Sequence, residues 1–363
     1  VKLATRLTVV CIGLTVFLLC GQAPGSQTGQ PDPNRILLKD YRPVSIYKIP
    51  VTRMTAARYR VIDVHTHSWA KTAADVDRWV KTMDEVGIEK SVVLTGAIGS
   101  KFESVKALYS RYPSRFEFWC GFDYTGFDKP GYGPAAIAEL ERCVKLGARG
   151  VGEEGDKGKG LGWGKAAGMH LDDPRMDSLL EKCAELKIPI SIHAADPIWM
   201  YQKMDASNDG LMNALAWRLD NQPGIVGHSG MIDILERAVT RHPRTTFVAC
   251  HFANLAYDLT RLGQLFDRYP NLQADISARY AETATIPRFA ANFYGKYQDR
   301  LVYGTDMGFS LDMYRTTFRI LETADEHFYA PMFGYHWSYS GLALPDNILK
   351  KVYRENALRV VKQ

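Results

Sequence analysis

From Tyr59 onward the chain alternates short apolar runs with longer segments in which apolar residues recur every three or four positions. The short runs, 60–65, 90–95, 116–122, 148–153, 188–193, 245–250, 272–277 and 300–305, have strand length. ARGVGEE, IPISIH and TTFVACH lack polar alternation, as strands covered on both faces do. Amphipathic helices are predicted between them at 72–86, 102–111, 133–146, 174–186, 229–241, 256–269 and 282–297. Another follows the last strand at 311–325, and a final helix, 346–361, has the spacing to pack on the outside of the fold. Eight strands alternating with helices predict an α/β protein built as a single (β/α)8 TIM barrel over 59–363.

Two interruptions stand out. The longest, 194–228, follows the fifth strand and carries Trp199, Met200, Tyr201 and Trp217, so it is expected to overhang the barrel rim as a substrate loop or lid. The glycine-rich KGKGLGWGK at 157–165 lacks the GxxxxGK[ST] pattern and is expected to be a flexible rim loop.

Ahead of the barrel, Lys2 and Arg6 precede the apolar stretch from Leu7 to Cys20, and Gly21-Gln22-Ala23 offers small residues to a signal peptidase. The stretch is short against the roughly 20 apolar residues of a spanning helix. Residues 1–23 are therefore expected to be a secretory signal peptide, and the mature protein periplasmic or secreted, with no stable membrane span. Lipidation at Cys20 is disfavoured by the bulky Leu19. Residues 24–58 form a polar, Gly/Pro-rich linker and an irregular lead-in.

The formal charge of +5 falls to +3 once Lys2 and Arg6 leave with the leader, too small an excess to suggest a nucleic-acid partner. Of the six cysteines, Cys120, Cys143, Cys183 and Cys250 lie inside predicted elements, and none forms a CxxC pair. Buried free thiols are expected rather than a zinc ribbon or a redox motif.

The chemistry lies at the strand ends. His65 and His67 in VIDVHTH share one strand face, where two imidazoles can chelate one divalent ion. His193 in PISIHAAD, His251 in FVACHFAN and Asp306 in LVYGTDMG each end another apolar run. A parallel barrel brings all five to one rim, the rim where such folds do their chemistry. Gly304-Thr305 would let the backbone approach a ligand there. Asp63 is either a partner orienting an imidazole or an ordinary strand-end residue. Arg279 is a candidate clamp for a carboxylate or phosphate, with a structural ion pair as the alternative. Trp69 either walls the pocket or packs in the core. His228 is assigned to a loop and His242 to the end of a helix.

This constellation resembles the amidohydrolase superfamily, and within it the amidohydrolase-2 branch of aminocarboxymuconate semialdehyde decarboxylase, resorcylate decarboxylases and several lactonases. The match runs from about Tyr59 to Val361 and includes the closing LPDNILKKVYRENALRVV. The resemblance implies His65, His67, His193 and Asp306 as metal ligands. It implies His251 as a second-metal ligand or a proton-transfer and carbonyl-polarising residue, and homodimers. Two departures matter. The branch usually continues its sixth-strand histidine as His-x-Gly-Gly, whereas here HFAN follows, so Asn254 is a candidate replacement substrate contact. GVGEEGD is closer to the glutamate of TatD-like hydrolases, so Glu153 is either a bridge between two metals or a surface residue beside Glu154.

The leading expectation is a hydrolase of an ester, lactone or amide bond in a small, carboxylated substrate. It would use one or two divalent ions, zinc favoured, with Asp306 as general base. The alternatives are a metal-dependent, non-oxidative decarboxylase and, from another class, a non-catalytic metal-bound binding protein.

Overall fold

The computed structural model describes residues 32–361, so the predicted signal peptide lies outside the described residues. Residues 32–41 belong to a first unit, with 3-10 turns at Pro33–Arg35 and Leu38–Asp40. The second unit runs from Arg42 and holds everything that follows.

All eight predicted strands form: β1 Val61–Thr66, β2 Ile88–Leu94, β3 Phe116–Trp119, β4 Val151–Asp156, β5 Ile190–Ala194, β6 Phe247–Ala249, β7 Leu272–Asp275 and β8 Leu301–Val302. They pair in parallel and in sequence order within two arcs, β1–β3 and β4–β8. A parallel bridge between Cys120 and Val151 joins the arcs on one side. On the other, Val64 N donates to Tyr303 O and Asp306 N to His65 O, which closes the barrel.

The connecting helices lie where the apolar period placed them: α1 Ala73–Val86, α2 Gly99–Leu108, α3 Pro134–Lys145 and α4 Asp177–Glu185. The interruption after β5 carries only the short α5 Leu211–Ala214 and 3-10 turns, and α6 His228–Arg241 follows it. Next come α7 Leu259–Arg268, α8 Tyr280–Thr283, α9 Pro287–Lys296 and α10 Leu311–Glu322. Helix α1 starts at a reciprocal capping box between Thr72 and Asp75 and stops at left-handed Gly87, as TxxD and Gly at these positions dictate. Among the described residues no helix is long and apolar enough to cross a membrane.

The barrel has two apolar clusters. The larger lies between strands and helices, with Val61 and Val93 among α1 residues such as Trp79 and Met83. The smaller joins Ile62, Val64, Val92, Leu94, Trp119, Val248 and Val302. These come from β1, β2, β3, β6 and β8, strands on opposite sides that can meet only inside. Ala357, Val360 and Val361 join the same cluster. The C-terminal helix, α11 Asp346–Lys350 continuing through a π turn to α12 Asn356–Val361, therefore does not simply pack on the outside as expected. Its end closes the foot of the barrel, where Asn356 Nδ2 donates to the carbonyls of Gln298 and Leu301.

At the other end β8 lies against β1 with no room for a side chain. A Cβ built on Gly304 would stand 2.7 Å from the Cβ of His65 and 3.3 Å from that of Ser277. The small residue there serves strand packing, not the approach of a ligand that the sequence suggested. Gly304→Ala is expected to lower unfolding stability by about 1–3 kcal/mol through overpacking. A denaturant titration reads this, and an unchanged midpoint would show that β1 can move aside.

Candidate metal centre

The strand ends bring five of the predicted residues, and Glu153 with them, to one place. His67 Nε2 lies 2.9 Å from Asp306 Oδ1. His193 Nδ1 lies 2.8 Å from Glu153 Oε1 and 3.1 Å from His251 Nε2. His65 Nε2 is 3.6 Å from Glu153 Oε1 and 3.7 Å from Asp306 Oδ1. Glu153 is buried, which removes its alternative as a surface residue.

Each imidazole is held from behind by a group that fixes its proton. His65 Nδ1 donates to Asp275 Oδ2 at 2.9 Å, and His67 Nδ1 to the Leu94 carbonyl at 2.9 Å. His251 Nδ1 meets Ser277 Oγ at 2.7 Å and the Ser277 carbonyl at 3.1 Å. His193 is turned the other way: its Nε2 donates to Asp196 Oδ1 at 2.9 Å. A carbonyl or carboxylate can only accept, so each outer nitrogen carries its proton; the opposite nitrogen carries a lone pair in the neutral ring and donates to the carboxylate it faces in the protonated one. Those four inner nitrogens face inward together with the carboxylates of Glu153 and Asp306.

A buried cluster of acceptors without a donor needs protons or a cation. His65 Nε2 is buried without a hydrogen-bond partner, which is the mark of a ligand atom. His65, His67 and Glu153, and likewise Glu153, His193 and His251, offer donor atoms within 4.8 Å of one another. The donor set, rich in nitrogen with two carboxylates, fits a divalent transition metal.

The charges packed around the rings make the same demand for positive charge. Burial opposes ionisation of His193, but Glu153 and Asp196 outweigh it and push the imidazole up to about 9. His65 is likewise raised, against burial, by Asp275 and Glu153. Burial pushes His251 down, so it stays neutral. Glu153 is held well below the usual carboxylate range, against burial, by His65 and His193.

Two rim turns make this geometry possible. His251, Phe252, Ala253 and Asn254 all have φ between 53° and 60°, the left-handed region. For residues other than glycine this costs roughly 1–2 kcal/mol each, so the surroundings must hold the turn in place. His251 N donates to Asp275 Oδ1, and the Asn254 amide donates to the carbonyls of Ala194 and Ala195. No glycine serves in the turn, and hydrogen bonds hold its shape instead. The other turn is the glycine-rich segment after β4. It is pinned where a flexible loop was expected: Gly158 N and Gly160 N donate to Asp156 Oδ1 and Trp163 N to the Gly155 carbonyl. The Trp163 ring meets His193 edge-on at 5.0 Å.

Other expected residues sit differently. Asp63 accepts from Thr305 N, Thr305 Oγ1, His65 N and Tyr314 Oη and touches no imidazole nitrogen; Asp275 is the residue that orients His65. Burial raises Asp63 to about 7. Asn254 is not free for substrate: its Oδ1 accepts from Arg279 Nε at 3.1 Å and Nη2 at 2.7 Å, and its amide nitrogen is taken as above. Arg279 reaches the cavity beside Asp306. Trp69 packs between the rings of His67 and Trp79 and lines neither cavity described below. His228 opens α6 and bonds the Asn254 carbonyl through Nε2, and His242 ends α6. The four cysteines are buried and free.

Sequence reading missed Asp275, Asp196, Ser277, Lys157 and Trp163. Asp275 carried a usable signal, an acid ending an apolar strand in LQADIS. Asp275→Asn is expected to weaken metal binding by about 10- to 100-fold while the protein stays folded. Competition against a chromophoric chelator measures this, and wild-type affinity would remove Asp275 from the centre's support.

In fold the chain is similar to an uncharacterised TIM-barrel protein from Bordetella bronchiseptica, at 16% identity and TM-score 0.53 over 84% of this chain and 99% of that one. It is similar also to 2,6-dihydroxybenzoate decarboxylase from Rhizobium, at 19% identity and TM-score 0.53 over 84% and 99%. A dihydroorotase from Campylobacter jejuni matches at 13% identity and TM-score 0.51 over 86% and 87%. No curated protein matches the sequence. The model of the Amidohydrolase family, Amidohydro_2, matches residues 62–363, so this barrel with its cluster of histidines and carboxylates belongs to that family of metal-dependent enzymes.

Proposed function

We propose that the protein is a hydrolase that cleaves an ester, lactone or amide bond of a small, carboxylated substrate. One or two divalent ions, zinc by preference, would be held by His65, His67, Glu153, His193, His251 and Asp306. The observation that carries this reading is the position of Glu153. Its Oε1 lies 2.8 Å from His193 Nδ1, 3.4 Å from His251 Nε2 and 3.6 Å from His65 Nε2, and its Oε2 lies 3.5 Å from His67 Nε2. A single carboxylate thus faces both histidine pairs, as a bridge between two cations would. Bound there, a divalent cation supplies Lewis acidity, polarising a carbonyl and making water reactive near neutral pH.

The chain's own residues do the rest. Asp306 is the more open of the two carboxylates, with its side chain 26% exposed beside the cavity. Against burial, His65 and His67 keep it below its ordinary value. It is therefore ionised at neutral pH, able to take a proton from water and return it to the leaving group. His251, held by Ser277 and neutral, presents the lone pair of Nε2 to the second cation.

Arg279 supplies the recognition of a carboxylate. Its guanidinium is held by the neutral Asn254 amide, with Glu282 Oε2 3.8 Å away. Burial raises Glu282 above the usual carboxylate value, against the pull of Arg279. A buried guanidinium so held favours a planar anion. Read with the leader as a secretory signal, the reaction takes place in the periplasm or outside the cell.

Elemental mass spectrometry on protein purified without chelator is expected to find about two metal ions per chain where Glu153 bridges them; about one would make Glu153 a ligand of a single ion, and none after reloading with zinc, manganese or iron would overturn the metal centre. Asp306→Asn is expected to lower kcat about 100- to 10,000-fold with the circular dichroism spectrum unchanged. An undiminished rate would refute its role as base. Heavy-oxygen label from water should enter the acid product. Carbon dioxide release without label would make the protein a decarboxylase, the reaction named for the Rhizobium neighbour. Tight metal binding with no product across esters, lactones and acids would leave a binding protein.

A further inference from the structure

The centre lies on a divide between two cavities. One, of about 320 Å³, opens over the ends of β5 to β8 and is lined by His193, His251, Asp306, Arg279 and Lys157. The other, of about 430 Å³, opens over the ends of β2 to β4 and is lined by Glu153, Phe122, Tyr124, Phe127 and Trp163. Glu153, on one side, bonds His193, on the other. The Trp163 ring, which lines the second cavity, meets two groups of the first, with His193 at 5.0 Å and Lys157 Nζ over its face at 5.4 Å. Gly155 makes room for that ring, since a Cβ there would fall 2.3 Å from it.

The two cavities differ in chemistry. The first holds two cations near the reacting groups, Arg279 and Lys157, the latter paired with Asp196 at 2.7 Å, and two acids, Asp196 and Asp306. The second is walled by aromatic rings, and its acids Glu153, Glu154, Asp123 and Asp128 outnumber its one cation, Lys165. An anion is better matched in the first, beside Arg279, than in the second. A flat apolar group fits the second, where rings meet it on several sides.

Resting on the hydrolase reading above, we propose that the substrate has two arms joined by the scissile bond. The acyl arm carries a free carboxylate and lies over β5 to β8. The leaving arm carries an uncharged or cationic ring and lies over β2 to β4. Water adds to the carbonyl carbon, the bond from acyl carbon to the leaving oxygen or nitrogen breaks, and the proton taken by Asp306 passes to that atom. The products are a diacid and a ring-bearing alcohol or amine.

The test compares monobenzyl and monomethyl succinate, whose alcohols are similar leaving groups, and their ketone isosteres, which have no scissile bond. Calorimetric binding of the isosteres to the metal-loaded, full-length protein is expected to favour the benzyl compound about tenfold or more. Thr125→Trp, at the exposed edge of the second cavity, is expected to bring that ratio close to one; Ile98→Trp, deeper in the same cavity, serves if the first variant does not fold. Equal affinities in the wild type, or a ratio that survives a folded variant, would overturn the two-armed site. A benzyl preference in binding, lost in the variant, with neither ester hydrolysed, would support the two-armed site and refute hydrolysis instead.

Discussion

The inner nitrogens of four imidazoles and the charges of two carboxylates face one another inside this barrel, and such a group holds together only around positive charge, either protons on the rings or a cation. The rest of the centre follows from that constraint. Asp275 behind His65, Asp196 behind His193, the Leu94 carbonyl behind His67 and Ser277 behind His251 each accept a hydrogen bond from the outer nitrogen. Once a cation replaces the inner protons, every inner nitrogen is free to donate its lone pair to it. Removing one partner therefore disturbs a ring's orientation and its protonation together.

Holding six such side chains at one rim asks the backbone for shapes that L-residues avoid. The turn 251–254 is left-handed throughout, and Asp306 itself has φ 54°. These conformations are held by bonds to the centre's own supports: Asp275 caps His251 N, and Asp306 N donates to His65 O. Asn254 joins this turn to the end of β5 and to Arg279, so one amide braces both the sixth-strand histidine and the buried guanidinium.

The loop after β4 gives the rim its asymmetry. Asp156 gathers Gly158 N and Gly160 N on one carboxylate oxygen and His170 Nδ1 on the other, and the alternating glycines turn the chain so that Trp163 lies on Gly155. The indole then joins the aromatic side of the rim and touches His193 and Lys157 of the other. Nothing in the glycine spacing announces this placement, because the ring's place depends on a contact with Gly155 eight positions earlier and with His193 on the next strand.

The sequence by itself determined the barrel and most of its metal centre. Eight apolar runs separated by helical periods leave little choice but parallel strands covered on both faces. A histidine or acid that ends such a run must then face the rim, and this made His65, His67, His193, His251 and Asp306 legible together. Glu153 was legible only as a choice between bridge and surface, since neighbouring glutamates look alike until β4 fixes which one turns inward. The tertiary structure decided everything that depends on contacts between distant strands. It chose Asp275 over Asp63 as the partner of His65, turned Asn254 from a substrate contact into the brace of Arg279, and tucked the end of the last helix into the foot of the barrel. The reason is that local periodicity assigns a residue to a face, whereas hydrogen-bond partners are set by which strand ends the closed barrel brings within about 3 Å.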